Sequence, residues 1–152
     1  MTEQKTRDDF EAFLNSADTL WIMGPQGVVI FRSQRKGIAP LICYIEQASL
    51  TEEVTVFDKV TGNAAALLLK KANGRELFSS LGSRWAAKTL RVFGIEAHFT
   101  HIVPYIINRS GNGMCPFEKL SLGKTPGEFY ENLEQHPLFA GIFHESVPCE
   151  PL

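Results

Sequence analysis

The sequence predicts an α/β fold, a three-layer α/β/α sandwich on a mixed sheet, and three observations carry that prediction. Short apolar or β-branched runs alternate with stretches of helical period along most of the chain. The first two runs are separated only by Gly24-Pro25-Gln26-Gly27, so the sheet opens on a hairpin before strands and helices alternate. The length, 152 residues, and the balance of 44% hydrophobic to 21% charged residues suit one domain with one core. The whole chain, 1–152, is read as a single domain with an apolar tail from about residue 137.

The elements follow in order. Thr6 is the expected cap of a first helix, with Asp8 and Asp9 in its first turn and Phe10, Phe13, Leu14 and Ala17 at helical spacing. The hairpin strands are 20–23 and 28–32. Residues 33–37 are a polar break. Pro40 stands near the start of a second helix, where proline is tolerated, and Leu41, Ile42, Ile45 and Ala48 are its buried stripe. Residues 54–60 form a β-branched strand, read as buried. Asn63 is the expected cap of a helix over 64–72, with Gly74 as its stop. A weaker strand covers 76–80, and Ser83 caps a helix over 84–93 that Gly94 closes. Residues 98–108 read as a strand interrupted by Pro104, which suggests an edge or a bulge. Residues 108–114 are a glycine-rich loop, and a helix opens at Cys115-Pro116-Phe117-Glu118. Thr125-Pro126-Gly127-Glu128 has capping-box spacing, so a last helix covers 129–135. Leu138, Phe139, Ile142 and Phe143 make the tail apolar and a candidate for packing on the domain or on a second copy, hence a homo-oligomer.

Composition excludes several classes. Fifteen Lys and Arg against seventeen Asp and Glu give a net charge of -2 and a pI near 6.1, which is no footprint for nucleic acid. The apolar runs are too short to span a membrane. Cys43, Cys115 and Cys149 are odd in number and share no C-x-x-C spacing, so a reduced, cytoplasmic protein is expected, and Met1-Thr2-Glu3-Gln4-Lys5 has no leader character.

Two segments have the residue types that chemistry needs. Cys115 precedes a proline-initiated helix, whose dipole favours the thiolate; Arg109 is in the same loop, and Gly111 and Gly113 leave N–H groups to face an anion. A reactive thiol beside exposed amides is the layout of acyl transfer. The structural alternative is a small residue beside a helix cap and glycines that only turn the chain. Asp58, Lys59, Gly62 and Asn63 stand where a strand ends and a helix begins, the place where open α/β sheets bind ligands. Asp58 is the candidate acid/base, with Lys59 as an anion partner; successive strand residues point to opposite faces, so the two share a site only if the strand has ended. The alternative is a capped, solvated strand end. Asn108 and Arg109, at another strand end, join the ligand candidates. The histidines do not form a metal pattern: His98 and His101 fall on opposite faces of a strand, and His136 and His144 lack a Cys or carboxylate partner. No metal and no cofactor are expected. Arg32, Arg35 and Lys36 read as a solvated loop, with a local anion site as the alternative.

The succession Gly37-Ile38-Ala39-Pro40-Leu41, then Asp58-Lys59-Val60-Thr61-Gly62-Asn63-Ala64-Ala65-Ala66, then Val103-Pro104-Tyr105-Ile106-Ile107-Asn108-Arg109, then Cys115-Pro116-Phe117-Glu118 resembles a small prokaryotic family of uncharacterised proteins. That family is grouped by fold with the cytidine deaminases. The resemblance covers residues 20–118 and implies an α/β/α sandwich whose sheet begins with an antiparallel hairpin; it brings no established reaction. Zinc deaminases carry H-x-E or C-x-E at one helix start and P-C-x-x-C at the next. Here those starts are Gly62-Asn63-Ala64-Ala65 and Ser83-Arg84-Trp85, without ligands or the catalytic Glu. The expectation is therefore a metal-independent enzyme acting on a small anionic or nucleotide-like ligand, with Cys115 as nucleophile or redox thiol. The alternatives are a non-catalytic ligand-binding or sensory domain on a degenerate deaminase scaffold, and an interaction domain that uses its apolar tail.

Overall fold

The hairpin forms as the turn residues require. Strand β1 (Leu20–Met23) pairs antiparallel with β2 (Val29–Ser33), and Gly27 takes the positive φ of 76° that the turn demands. The computed structural model describes residues 2–143. Before the hairpin lies α1 (Glu3–Leu14); after it come α2 (Ala39–Gln47), β3 (Val54–Thr61), α3 (Asn63–Lys71), β4 (Gly74–Ser83), α4 (Arg84–Val92), β5 (Glu96–Val103), α5 (Pro116–Ser121) and α6 (Pro126–Glu134). A short 3-10 turn, Ala140–Phe143, follows within the stretch that the sequence assigns to the apolar tail.

The sheet has five strands in the order β2-β1-β3-β4-β5. β1 is antiparallel to both of its neighbours, while β3, β4 and β5 run parallel, so the sheet is mixed. Helix α1 covers one face. There Phe13, Met23 and Phe57 are fully buried, with Phe10, Trp21 and Phe78 packed round them; Phe10 meets Phe57 edge-on at 5.2 Å. The other face carries the larger core, in which Ile22, Val56 and Leu77 from the strands meet Ile42, Leu68, Leu90 and Leu133 from the helices. Among the described residues, no helix is long and apolar enough to cross a membrane.

Four expectations from local pattern need correction. Helix α1 starts earlier than Thr6, because the Thr2 hydroxyl already accepts from Lys5 N; Thr6 sits inside the helix and donates to the Thr2 carbonyl at 3.1 Å. Asn63 is the first helical residue of α3, with Gly62 as the cap position. The turn after α3 is made by Asn73 at φ 63°, which frees Gly74 to begin β4. And β4 is no weak strand: its ten residues hold the middle of the parallel half, since both neighbours supply ladder partners. By contrast, Ser83 caps α4 by accepting from Ala86 N, Gly94 closes it at φ 70°, and the capping box at Thr125 and Glu128 is complete.

Two connections position the site. β3 gives way to α3 after Gly62 alone, and β4 passes into α4 with no intervening residue. Two helix N-termini therefore stand side by side at the carboxyl edge of the sheet. β4 reaches that edge past Gly82, where an added Cβ would lie 2.1 Å from the Phe99 ring of β5. Gly82→Ala should therefore expel that ring and destabilise the fold by about 1–3 kcal/mol in chemical denaturation. An unchanged midpoint would show that the ring is not held there.

Candidate functional site

The carboxyl edge of the sheet opens into a cleft of about 200 Å³. Ile38 from the start of α2, Ala64 and Ala65 from α3, and Ile106 and Phe117 make its wall mostly apolar. The chemistry-bearing side chains on it are Asp58, Cys115, Glu118 and Lys36.

Asp58 lies in the second half of β3, on the face of Val54 and Val56, and is buried. Burial pushes its carboxyl from the ordinary 3.8 up to about 7; the Thr61 hydroxyl and the Val60 and Lys59 backbone N–H groups pull the other way. The Thr61 hydroxyl lies 3.0 Å from Asp58 Oδ2 and 2.9 Å from Ser79 Oγ on β4.

Cys115 is half-buried and is placed by a small ribbon. Its N–H donates to the Ile106 carbonyl at 2.7 Å, Ile107 bridges to Met114, and Asn108 N donates to the Gly113 carbonyl at 2.8 Å. The loop before α5 thus folds back on the segment after β5, which turns Cys115 towards the carboxyl edge and into one cleft with Asp58. Of the other cysteines, Cys43 is buried in α2, and Cys149, like His144, lies outside the described residues.

Glu118 is the residue that reading by motif passes over. It is 2% exposed, and its carboxylate accepts three hydrogen bonds. Oε1 takes one from Asn63 N at 2.7 Å and one from the Ser83 hydroxyl at 2.6 Å; Oε2 takes one from Ile106 N. One side chain thereby joins the first N–H of α3, the cap of α4 and the strand-end segment that aligns Cys115. A carboxylate at a helix N-terminus also suits the dipole there. Gly62 lets it approach, since a Cβ at that position would lie 3.3 Å from Oε1 and 3.1 Å from the Ile106 side chain.

Other sequence candidates have different duties. Lys59 borders the cleft but its ammonium leaves on the opposite face of β3, where it donates to the Ser16 carbonyl at 2.8 Å and lies over the Phe13 ring at 5.0 Å. Strand alternation separates it from Asp58, because β3 continues to Thr61. Asn63 is buried and spends its amide on Ser121, with its side-chain oxygen accepting from Thr89. Asn108 exchanges hydrogen bonds with Asn112, and the Gly111 N–H is taken by the Asn108 carbonyl, so that amide is not held out for an anion. Arg109 is exposed at the loop tip and does not line the cleft. Gly113 shapes the ribbon. Lys36, from the polar break before α2, also lines the cleft, and among the described residues no hydrogen bond or ion pair turns its ammonium away from it. No period or spacing marks Lys36, since its place depends on how α2 packs across the sheet.

Comparison with known proteins agrees on the chain's relationship. The profile of a family described as a domain of unknown function, DUF1893, matches residues 11–136, and the chain belongs to that family. Among solved structures, a DUF1893 family protein from Thermotoga maritima is similar at 26% identity, with a TM-score of 0.78 over 87% of this chain and 89% of that one. No curated protein matches.

The environment of Asp58 predicts a pH dependence. The unfolded chain titrates this carboxyl near 3.8 and the native state near 7, so the native state binds the extra proton between those values. Stability is then highest below that window and is lost as pH rises through it. Asp58→Asn removes the titration, so the wild-type protein should lose stability relative to that variant by up to about 1.4 kcal/mol per pH unit across the window. Denaturation curves of the two proteins from pH 4 to pH 8 measure the difference; parallel pH profiles would contradict it.

Proposed function

We propose that this DUF1893 domain is a metal-independent enzyme whose cleft takes a small anionic or nucleotide-like ligand. Cys115 supplies the attacking sulfur, and Asp58 takes and returns the proton. The observation that carries the reading is the convergence of the thiol and the raised carboxyl in one mostly apolar cleft at the carboxyl ends of parallel strands. A carboxyl that titrates near neutrality has the range an acid/base catalyst needs. Lys36, exposed and on the cleft wall, is the partner for the anionic part of the ligand. A cleft of about 200 Å³ is smaller than the roughly 300–1,000 Å³ typical of drug-sized ligands, so it suits a single ring or a short acid, with any phosphate outside against Lys36.

We read the scaffold as cytidine-deaminase-like, because an antiparallel hairpin leads into parallel strands whose two following helices start side by side. The residues do not fit the zinc of such enzymes. The two helix starts offer Asn63, Ala64 and Ala65, and Ser83, Arg84 and Trp85, none of them a thiolate or imidazole ligand. The carboxylate nearest to both starts is already filled by three donors. The chemistry proposed for Cys115 and Asp58 uses no metal.

One observation favours a second reading, a binding domain without chemistry: Lys59, Asn63 and Asn108 are all engaged in structure, which leaves few polar groups for a reaction. Saturation-transfer NMR with nucleobases, nucleoside monophosphates and small carboxylic acids tests both. Anionic probes should bind, Lys36→Ala should weaken them about threefold to tenfold, and carbamidomethylation of Cys115 should abolish binding. Brief treatment with iodoacetamide should modify Cys115 well before Cys43. Binding unaffected by the modified thiol would move the site elsewhere; binding with no conversion of any probe would favour the second reading.

A further inference from the structure

The hydroxyl groups behind Asp58 can be counted proton by proton. Thr61 and Ser79 are fully buried, so neither can turn to bulk water for a partner. The Ser79 hydroxyl has one hydrogen, and it donates to the Leu81 carbonyl at 3.2 Å. Towards Thr61 it can then only accept. The Thr61 hydroxyl also has one hydrogen, yet it stands 2.9 Å from Ser79 Oγ and 3.0 Å from Asp58 Oδ2. One hydrogen can serve both contacts only as a divided, three-centre bond, weaker than two full ones.

A single arrangement gives each of the three contacts a hydrogen of its own. Asp58 Oδ2 carries a proton and donates it to Thr61, Thr61 donates to Ser79, and Ser79 donates to Leu81 O. When Asp58 is ionised, Thr61 must turn its hydrogen to Oδ2. Ser79 then either faces Thr61 oxygen to oxygen or turns away from Leu81 O. One of the three contacts is then lost or shared, and the fully buried Thr61 and Ser79 hydroxyls have no water to replace it.

We propose that Thr61 and Ser79 are positioning residues for Asp58: they form a hydroxyl relay in which Ser79 takes the Thr61 hydrogen while Asp58 is protonated, and Thr61 turns that hydrogen back to Oδ2 when Asp58 gives up its proton. The balance is simple. One proton enters or leaves at Oδ2, the hydrogens on Thr61 and Ser79 rotate, and no other bond changes. The relay ends at a carbonyl, which has no proton to give, so it stores an orientation and does not conduct protons through the sheet. Across the cleft Asp58 shares its surroundings with Lys36 from the segment before α2 and with Cys115 and Glu118 from the start of α5; α3 contributes only Ala64 and Ala65 there, and the Lys59 ammonium leaves on the opposite face. A neutral carboxyl beside Lys36 admits an anionic ligand without like-charge repulsion, which identifies the ligand as one whose binding is linked to a proton on Asp58. The inference rests on the ligand reading of the cleft only for that last step.

Carboxyl 13C NMR on aspartate-labelled protein reads the proton on Asp58 directly, with Asp58→Asn assigning the signal. Ser79→Ala leaves the Thr61 hydrogen no partner but Asp58. This favours the ionised form and should lower the midpoint by about one pH unit. Thr61→Val, of equal shape, removes the donor that the carboxylate needs and should raise the midpoint by a similar amount. Thr61→Ser keeps the hydroxyl and should restore the wild-type value, which also separates loss of the relay from loss of the fold. Opposite shifts from the two variants are the expected result. Shifts of the same sign, no shift in either, or a wild-type midpoint in the ordinary carboxylate range would overturn the relay. The ligand reading fails separately, if these shifts appear and no anionic probe binds.

Discussion

One buried carboxylate holds the carboxyl edge of this domain together. Glu118 enters from a six-residue helix and meets donors from three segments that are far apart in sequence: Asn63, Ser83 and Ile106. Helix α3 begins with no side-chain cap of its own, so the N–H that a cap would help to satisfy is answered from 55 residues away. Ser83 closes the pattern, accepting from Ala86 N while donating to Glu118, so the cap of α4 and the start of α3 share one oxygen. Removing a partner from such a network leaves the remaining buried groups unpaired, which costs more than any one bond contributes. The ribbon that presents Cys115 hangs from the same carboxylate through Ile106.

Two acidic side chains stand within this edge, and their surroundings divide the labour between them. Glu118 has three donors and is nearly sealed, so its oxygens are committed to structure. Asp58 faces the cleft, takes part in a hydroxyl chain short of one hydrogen, and has its carboxyl pushed up by burial. The rigid group makes the site and the proton-responsive group is available to it. The proposed chemistry benefits from that separation, since protonation at Asp58 need not disturb the contacts that keep α3, α4 and the Cys115 ribbon in register.

Much of the fold was legible because local chemistry decides it. The hairpin, the Ser83 cap and the capping box at Thr125 all follow from residues within four positions of one another. Element boundaries were less legible where two candidates competed: Thr2 pre-empts Thr6, and Asn73 takes the left-handed turn that Gly74 would have accepted with less strain. That Asp58 and Cys115 come to one cleft was readable from strand-end and helix-start positions, and the alternation rule already warned that Lys59 would leave the other way. Glu118 was not readable as a site residue, and Lys36 only as one of a basic cluster in which a solvated loop was the stronger reading. Their importance arises from contacts across the chain, and a lone Glu in a short helix looks like any solvated carboxylate until the donors around it are known. Asn63 and Asn108 failed as ligand groups for the same reason, because an amide's duty is set by its neighbours in space.

The central claim is that the Glu118 carboxylate ties the cleft's walls to one another. Residue-resolved hydrogen exchange on Glu118→Gln tests it most directly, since glutamine keeps the shape but has one acceptor oxygen where the carboxylate has two. If that oxygen serves Asn63 and Ser83, the amide nitrogen meets the Ile106 N–H, donor against donor. The expected result is a folded protein in which the Ile106 amide and the ribbon around Cys115 exchange faster by about tenfold or more, while β1 and β2 are unchanged. Unchanged exchange at Ile106, or acceleration spread evenly over the sheet, would contradict the claim.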